Sequence, residues 1–370
     1  MTQFDILLNL LRLGISDITF SYPENDAMDW DNLLDNSAKQ GVMGWVWEGI
    51  NKLPKECRPP RQQMINWGLS VDSLVKDYTR QRDVLLKLVH VCESNSMRVL
   101  LLKGHGLSVL YPKPEYRFSS DIDIYLFSDY EKGNLVLANN KYQFGGRHSM
   151  FTFEGESVEN HITFIHTTTR IQKKIERYLE STLNNAHRTD YGYYELEPMA
   201  YLVFLLMHSL SHMDSVNVIS LKNILDFYMF LKAYRNVIPP QEFSEKLKEL
   251  YIADAFELML CLSEWISGNI FDDYHFCNIP LEDVERAKNI IIGRTALPVY
   301  SPQMKQRERV KIRISRHNEM KWFYRYSPRK INDRIIAGVR QEISLSVQYL
   351  LKIKNGGFRE GIKNRWCKMK

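Results

Sequence analysis

The stretch that decides the fold is "LLKGHGLSVLYPKPEYRFSSDIDIYL", which runs from Leu101 to Leu126. An apolar run ends in a Lys-Gly turn, a short helical segment and a Pro-rich loop follow, and two aspartates then interrupt an apparent buried strand. Burying an unpaired carboxylate is costly, and two like charges on one face destabilise each other. The sequence therefore predicts a positive charge beside Asp121 and Asp123.

The two aspartates are two residues apart, so on a strand their side chains project from the same face. Ile122, Ile124 and Leu126 then take the opposite face, toward a core. Paired carboxylates on a rigid strand suit a divalent metal, and Mg²⁺ prefers oxygen ligands, often completed by substrate phosphates. The alternative is an exposed strand end with two solvated acids.

A third carboxylate, Glu159, lies in "VENHITF" on the second strand of a predicted hairpin. The segments "YQFGGRHSMFTFEG" and "SVENHITFIH" are rich in β-branched and aromatic residues, and "EGES" separates them. If this strand neighbours the one that carries the aspartates, three carboxylates can hold two metals about 4 Å apart. That arrangement serves in-line displacement at phosphorus.

Upstream of the aspartates, "LLKGHGLSVL" predicts a strand, a glycine turn and a helix. Gly104 and Gly106 would let backbone N–H groups approach a phosphate, and a helix N-terminus favours an anion. Lys103 and Arg117 are close in sequence and can neutralise phosphate charge. The order of these parts indicates a phosphate site beside the acidic pair.

Helical patterns flank this segment on both sides. Apolar residues recur at helical spacing through the first 95 residues, in "DWDNLLDNSAKQGVMGWVWEGINKL" and in the long amphipathic run "QQMINWGLSVDSLVKDYTRQRDVLLKLVHVCESN". The helical pattern returns from about Thr169, most clearly in "EPMAYLVFLLMHSLSHM" and "SLKNILDFYMFLKAY". We therefore predict an α+β protein whose small mixed β-sheet core is embedded in largely helical N- and C-terminal regions. The predicted divisions are 1–95, 96–168, 169–300 and 301–370.

The composition, with 44% hydrophobic and 25% charged residues among 370, is typical of a soluble globular protein with two or three cores. No stretch approaches the roughly 20 apolar residues of a membrane-spanning helix. The N-terminal "MTQFDILLNLLRLGIS" reads as a helix and not as a signal peptide. Five scattered cysteines lack zinc or redox spacing. Together these features predict a cytoplasmic protein.

Charge is distributed unevenly along the chain. Residues 303–370 carry 19 Lys and Arg against 5 Asp and Glu, a balance of +14, whereas the remainder carries 30 against 39, a balance of −9. A basic section on an acidic body suggests an anionic partner such as nucleic acid, a membrane surface or a phosphorylated ligand. "KWFYRYSPRK" mixes rings and basic groups, which suits base stacking. Helix faces docked on the acidic body are the alternative.

The Leu101–Leu126 stretch resembles the signature of the uncharacterised nucleotidyltransferase family, within the polymerase-beta-like nucleotidyltransferase superfamily. Members carry a Lys-Gly turn, a helix, a Tyr-Pro-x-Pro stretch, an arginine and an Asp-x-Asp strand. Here these are Lys103-Gly104, Tyr111-Pro112, Pro114, Arg117, and Asp121 with Asp123. The family's later acid-x-His motif matches Glu159-Asn160-His161, and its histidine helix and following aspartate match His208, His212 and Asp226. The chain departs from the superfamily at His105, where Gly or Ser is usual.

The resemblance covers roughly Met97 to Tyr234. It implies binding of an NTP and of Mg²⁺, or Mn²⁺ in its place, and transfer of a nucleoside monophosphate to an acceptor hydroxyl. The metal-binding and catalytic residues would be Asp121, Asp123 and Glu159. The nucleotide-binding residues would be Lys103, Gly104, His105, Arg117 and His161. The acceptor stays open between a sugar, a small molecule, a protein and RNA. A nucleotide- or nucleic-acid-binding regulatory protein that keeps the fold without turnover is the alternative.

The remaining histidines have two interpretations each. His208 and His212 are four residues apart and share a helix face, a spacing that can bind a transition metal. Their segment looks like a buried helix, so packing is the favoured interpretation, and lining of the nucleotide pocket is the alternative. His161 shares a face with Glu159 and can contact a phosphate or the acceptor, or serve a structural role.

Overall fold

The computed structural model describes residues 2–16, 28–139, 141–214, 219–293 and 322–327. The helices are α1 Gln3–Ser16, α2 Trp30–Lys39, α3 Met43–Lys52, α4 Arg61–Ser94, α5 His105–Ser108, α6 Tyr130–Ala138, α7 Arg170–Ser181, α8 Pro198–Asp214, α9 Leu221–Tyr234, α10 Pro240–Glu249, α11 Ala253–Ser267 and α12 Leu281–Gly293. The strands are β1 Leu100–Leu101, β2 Ile122–Tyr125, β3 Gln143–Phe144, β4 His148–Phe153, β5 Glu156–His161, β6 His187–Arg188 and β7 Tyr194–Glu195. This mixture of a sheet and surrounding helices confirms the α+β class.

The strands form one mixed sheet in the order β3-β4-β5-β2-β1-β7-β6. β2 is parallel to β5 and antiparallel to β1, and β1 is parallel to β7. The last two strands come from residues 187–195, so the sheet also uses chain beyond the segment 96–168 in which the sequence placed it. The division into four segments stays a prediction.

The two faces of the sheet pack against different layers of helices. Ile122, Ile124 and Leu126 point into a core that they share with α4 and α6, as the alternation along β2 predicts. On the opposite face, Leu100 and Tyr125 join the larger core, to which α7, α8 and α9 contribute. The aspartates of β2 therefore open toward the second face, next to the C-terminal helices.

A tight turn sets the register of the hairpin between β4 and β5. Glu154 and Gly155 have φ values of 47° and 90°, as the central residues of a two-residue turn of type I′ require. The pairing starts at Phe153 with Glu156 and ends at His148 with His161. The predicted hairpin is confirmed, with a shorter turn than "EGES" indicates.

The N-terminal region differs from its prediction at one point. The continuous helical pattern from residue 29 to 53 is divided between α2 and α3 at Gln40. The Gln40 carboxamide accepts from the backbone N–H of Leu221 and donates to the carbonyl of Ile291. These contacts, which are distant in sequence, tie the break to the start of α9 and to α12.

The longest described helix, α4, has 34 residues and confirms the predicted amphipathic run. Its residues Val84, Leu85 and Leu88 are buried against the sheet, while the solvent side carries charged residues. None of the helices in the described part of the chain combines enough length and apolarity to cross a membrane.

The basic C-terminal section lies outside the described residues except at 322–327. Within that short piece, Phe323 and Tyr326 are buried in the main core, and Arg325 forms an ion pair with Asp254. The Tyr326 hydroxyl also donates to Asp283. These contacts agree with docking of this piece onto the acidic body.

Candidate active site

Three carboxylates meet where β2 and β5 lie side by side. The parallel register places Asp123 directly opposite Glu159, and Asp121 comes one residue before β2 on the same face. One carboxylate oxygen from each residue lies within 4.8 Å of those of the other two. The sequence prediction that the three side chains converge is therefore confirmed, while the role of each stays a prediction.

Asp123 is the most buried of the three, with 1% of its surface exposed. Its Oδ1 accepts from the Lys103 Nζ at 2.7 Å and lies 3.0 Å from the His161 Nε2. Burial alone would raise the pKa of Asp123, but Lys103 and His161 outweigh it and lower that pKa well below the ordinary value. The carboxylate is therefore charged, and Lys103 provides the positive charge that the sequence predicts.

Asp121 has a different environment although it is only two residues away. Its carboxylate is half-buried and forms neither a hydrogen bond nor a close ion pair with any residue that the structure describes. Burial, followed by the charge of Asp123, raises the pKa of Asp121 to about 6. A positive charge beside this carboxylate would stabilise its ionised form.

Glu159 contacts two histidines of the hairpin. Its Oε2 lies 3.4 Å from the His161 Nε2, and its Oε1 lies 3.6 Å from the His148 Nε2. Burial raises the pKa of Glu159, but His161 and His148 together outweigh it, so the net shift is downward. The two histidines and Glu159 form a second group of potential metal ligands.

Sequence reasoning missed His148. The signal was present, because a two-residue turn at Glu154-Gly155 fixes the pairing of every residue outward along the hairpin. Counting back from that turn places His148 across from His161. The four-residue separation that we inferred from "EGES" gives no such pairing.

The Lys-Gly turn directs Lys103 to the carboxylates. Gly104 has a φ of 65°, and a Cβ there would lie 3.2 Å from the Ser119 Oγ, so the turn packs closely on the chain that enters β2. The preceding Leu102 donates its N–H to the carbonyl of Asp123. The Lys103 side chain consequently leaves the backbone beside Asp123.

His105, predicted to contact nucleotide, packs against α4. Its ring centroid lies 4.6 Å from that of Tyr78, and 6% of the residue is exposed. Neither ring nitrogen has a hydrogen-bond partner among the described residues. Burial lowers the pKa of His105 to about 4, so the ring is neutral. This geometry gives the ring a packing role, and contact with nucleotide stays a prediction.

Arg117 forms a buried bidentate pair with Asp226 of α9. Its Nε lies 2.7 Å from Oδ1 and its Nη2 lies 2.8 Å from Oδ2, and the Tyr111 hydroxyl donates to Oδ1 at 2.6 Å. Both charged side chains are nearly inaccessible to solvent. The predicted phosphate contact of Arg117 is untested, but two of its three donor nitrogens are already committed. The pair fastens the loop before β2 to α9.

His208 and His212 contact each other across one turn of α8. Their Nε2 atoms lie 3.0 Å apart, and Phe204 stacks on the ring of His208. Burial lowers the pKa of His208 well below its ordinary value. Neither histidine belongs to a metal-ligand group within the described residues. This arrangement agrees with the packing interpretation.

Lys222 is a further cation near the site that the sequence did not indicate. It lies one helical turn before Asp226 on the same face of α9, and its Nζ is 5.6 Å from the centroid of the Phe118 ring. Burial lowers the pKa of Lys222 to about 8. Nothing in its local sequence marks it, because only the docking of α9 brings it here.

Comparison with protein families identifies one match. The model of a family described as uncharacterised nucleotidyltransferase matches residues 26–268, about two thirds of the chain. A search among curated proteins returned no match. The chain belongs to the uncharacterised nucleotidyltransferase family, as the resemblance of the Lys-Gly and Asp-x-Asp motifs indicated.

Proposed function

From membership of this nucleotidyltransferase family, we propose that the protein transfers a nucleoside monophosphate from an NTP to an acceptor hydroxyl with the help of divalent cations. The observation that carries the proposal is the meeting of Asp121, Asp123 and Glu159 within 4.8 Å on two adjacent strands. Such a concentration of buried charge is costly unless cations compensate it.

The donor set fits Mg²⁺ or Mn²⁺. The three carboxylates carry three negative charges when ionised, and Lys103 is the one lysine or arginine in the described part of the chain that pairs with them. Uncompensated negative charge and oxygen ligands are what these hard cations require. The Asp121 carboxylate, which has no close partner of its own among the described residues, is the strongest sign of such a fit.

In this proposal Asp121 and Asp123 hold both cations, and Glu159 completes the site nearest the acceptor. Bound cations would supply neutralisation of phosphate charge and a lowered pKa for the acceptor hydroxyl. The chain itself contributes a fixed position for each ligand, and Glu159 can accept the proton of the hydroxyl. Most of the rate enhancement then comes from positioning and electrostatic stabilisation.

On the phosphate side, we assign Lys103, the backbone at Gly104, and Lys222. Lys103 donates to Asp123 and has further N–H donors for a phosphate oxygen. The buried amine of Lys222 adds a positive charge that lies beside Phe118, three residues before Asp121. To Arg117 we assign the fastening of this loop, because Asp226 engages its guanidinium.

The test is release of pyrophosphate from each NTP, with Mg²⁺ or Mn²⁺, across acceptors that include sugars, small alcohols, proteins and RNA. We expect release that depends on cation and acceptor and is lost in Asp123→Asn. Asp72→Asn, an exposed change on α4, is the matched control and should keep activity. Nucleotide binding with no pyrophosphate release in any of the mixtures would overturn the proposal.

One observation favours the non-catalytic alternative. Asp123 is already neutralised by Lys103 and contacts His161, so this one residue is stable without any cation. A regulatory protein that binds a nucleotide and does not turn it over would keep these contacts. The pyrophosphate assay separates the two functions, since only the transferase releases product.

A further inference from the structure

Beside the all-oxygen group, Glu159 belongs to a second set of ligand atoms with His148 and His161. The two Nε2 atoms lie 3.6 Å and 3.4 Å from the nearer oxygens of the Glu159 carboxylate. Ligand atoms at about 2.1 Å from one first-row cation are themselves about 3.0 to 3.4 Å apart, depending on geometry. The two nitrogen–oxygen distances are therefore close to coordination spacing, and one ligand atom from each of the three residues lies within 4.8 Å of the other two. A metal at this point would replace the contact between the His161 Nε2 and the Asp123 Oδ1.

The backbone holds both imidazoles in this position. His148 and His161 are directly paired in the β4–β5 ladder, so they project from the same face as Glu159. Their ring centroids are 5.1 Å apart, and both rings turn Nε2 toward the carboxylate. The two Nδ1 atoms are buried and have no partner among the described residues. Strand pairing thus presents one nitrogen of each ring to a common point.

We propose that His148, Glu159 and His161 form a site for a divalent first-row transition metal, distinct in preference from the all-oxygen Asp121–Asp123–Glu159 group. Imidazole nitrogen suits metals such as Zn²⁺, Fe²⁺ and Ni²⁺, whereas a set of carboxylates alone suits Mg²⁺, Ca²⁺ and Mn²⁺. Glu159 would be shared between the two groups. The proposed reaction would then take place at a centre with two unlike cations.

The competing explanation is that the histidines serve only as hydrogen-bond donors to Glu159 and Asp123. In that case substitution changes stability and leaves metal preference unchanged. The proposed transition-metal site shares Glu159 with the proposed active site. The inference rests on the proposed function only where it gives this metal a part in the reaction. Its test reads metal binding, so either can fail alone.

The test uses the full chain with Mn²⁺ as a paramagnetic probe. We expect pulsed electron paramagnetic resonance to detect coupling from histidine nitrogen to bound Mn²⁺, in the presence of millimolar Mg²⁺. Since the all-oxygen group also accepts Mn²⁺, millimolar Mg²⁺ is kept present to occupy it. Under that condition, His148→Gln and His161→Gln should each weaken the remaining Mn²⁺ binding at least tenfold and reduce the nitrogen coupling. Mg²⁺ binding, followed by calorimetry, should remain in both variants.

Two matched controls make the result specific. His275→Gln removes the histidine of the other His-containing ligand group in the described chain, Glu257, Cys261 and His275, and should leave the nitrogen coupling unchanged. His90→Gln changes an exposed histidine of α4 and should do the same. Because His161 is buried, a thermal melt of each variant is measured to establish that it folds, and the more accessible His148 keeps the proposal testable.

Absence of nitrogen coupling, or equal affinity for Mg²⁺ and Mn²⁺, would overturn the inference. Coupling that survives in both His148→Gln and His161→Gln but disappears in His275→Gln would overturn it as well. Nitrogen-coupled Mn²⁺ in a protein that never releases pyrophosphate would support this site and overturn the proposed transferase.

Discussion

Asp226 of α9 contacts the loop before β2, and Asp121 ends that loop. The charges of these two carboxylates are balanced in different ways. Asp226 accepts two bonds from Arg117 and one from Tyr111, and all three groups are buried. Asp121 belongs to a group of three carboxylates. Among the described residues, Lys103 is the one lysine or arginine that forms an ion pair with this group. The Asp226 carboxylate is neutralised and completely paired, whereas the second group carries excess negative charge.

The difference separates a structural role from the functional role that we propose. A buried acid that is fully paired holds two elements together, and its pairing is lost if either partner is removed. An acid whose charge is left uncompensated reduces stability, so its presence at the end of paired strands calls for a ligand. Here the complete pair fixes the loop that presents the incomplete cluster.

The largest expected effect is on activity when the incomplete cluster loses an acid. Asp123→Asn should lower the rate of pyrophosphate release by at least about a thousandfold, or roughly 4 kcal/mol in activation free energy. The reason is loss of a charged ligand at the centre of the group while the isosteric amide keeps the shape. Circular dichroism and a thermal melt should show a folded protein.

Asp72→Asn is the control for that measurement, because it removes an exposed acid of α4. A wild-type rate in Asp123→Asn would exclude the cluster as the reaction centre. Unfolding of Asp123→Asn would instead assign Asp123 to structure, together with Asp226.

Local patterns explain why much of the cluster could be predicted from the sequence. The two-residue spacing of Asp121 and Asp123 and the apolar residues between them fix one face of β2 without any tertiary information. The β-rich segments around Glu154-Gly155 predict the hairpin that carries Glu159. These patterns do not predict the order of the strands in the sheet. In the structure, β2 and β5 are parallel neighbours, and this pairing brings Glu159 to the aspartates.

The partner of Arg117 could not be predicted in this way. Asp226 is 109 residues further along the chain, and only the docking of α9 brings it to the loop. An arginine next to an acidic pair suggests a phosphate ligand until its burial is known. The strands β6 and β7 have two residues each and are too short to show an alternating pattern.

The second prediction compares the stabilities of the two groups. Asp226→Ala should lower the free energy of unfolding by about 3 to 5 kcal/mol, because Arg117 stays buried without its partner. Asp121→Asn should leave the metal-free protein as stable as wild type or more stable. Urea denaturation at pH 7.5 without divalent cations measures both. If Asp226→Ala lost less than about 1 kcal/mol of the free energy of unfolding and Asp121→Asn lost more, Asp121 and not Asp226 would have the structural role.

The third prediction uses the pKa of Asp121, which burial and Asp123 raise to about 6. The unfolded value is about 3.9, so the folded state binds the proton more tightly, and the resulting stability is present below pH 4 and lost as pH rises through 6. The loss is up to roughly 3 kcal/mol at 1.36 kcal/mol per pKa unit. Adding Mg²⁺ should restore more stability at pH 7.5 than at pH 5.

Asp121→Asn isolates the contribution of Asp121 to the pH dependence of the free energy of unfolding. The variant is needed because burial also raises the pKa values of Glu176 and Glu195 to about 7. The free energies of unfolding of wild type and Asp121→Asn should diverge between pH 5 and 7.5, with the variant favoured at the higher pH. Parallel curves would mean that the Asp121 carboxylate is not the group that titrates.

The smallest expected effect concerns the third donor to Asp226. Tyr111→Phe removes the hydroxyl but keeps the ring that stacks on Trp45, and both bonds from Arg117 remain. A hydrogen bond to a charged group is worth about 1.5 to 3 kcal/mol, and the intact pair should hold the loss near the lower end. Tyr78→Phe is the matched control, because its hydroxyl bonds to the neutral Ser108 and its loss should cost less stability.

The rate of pyrophosphate release per folded molecule should be unchanged in both variants. A rate that falls more than tenfold in Tyr111→Phe at near wild-type stability would place Asp226 in the reaction centre, and the contrast between a complete structural pair and an incomplete functional cluster would be wrong.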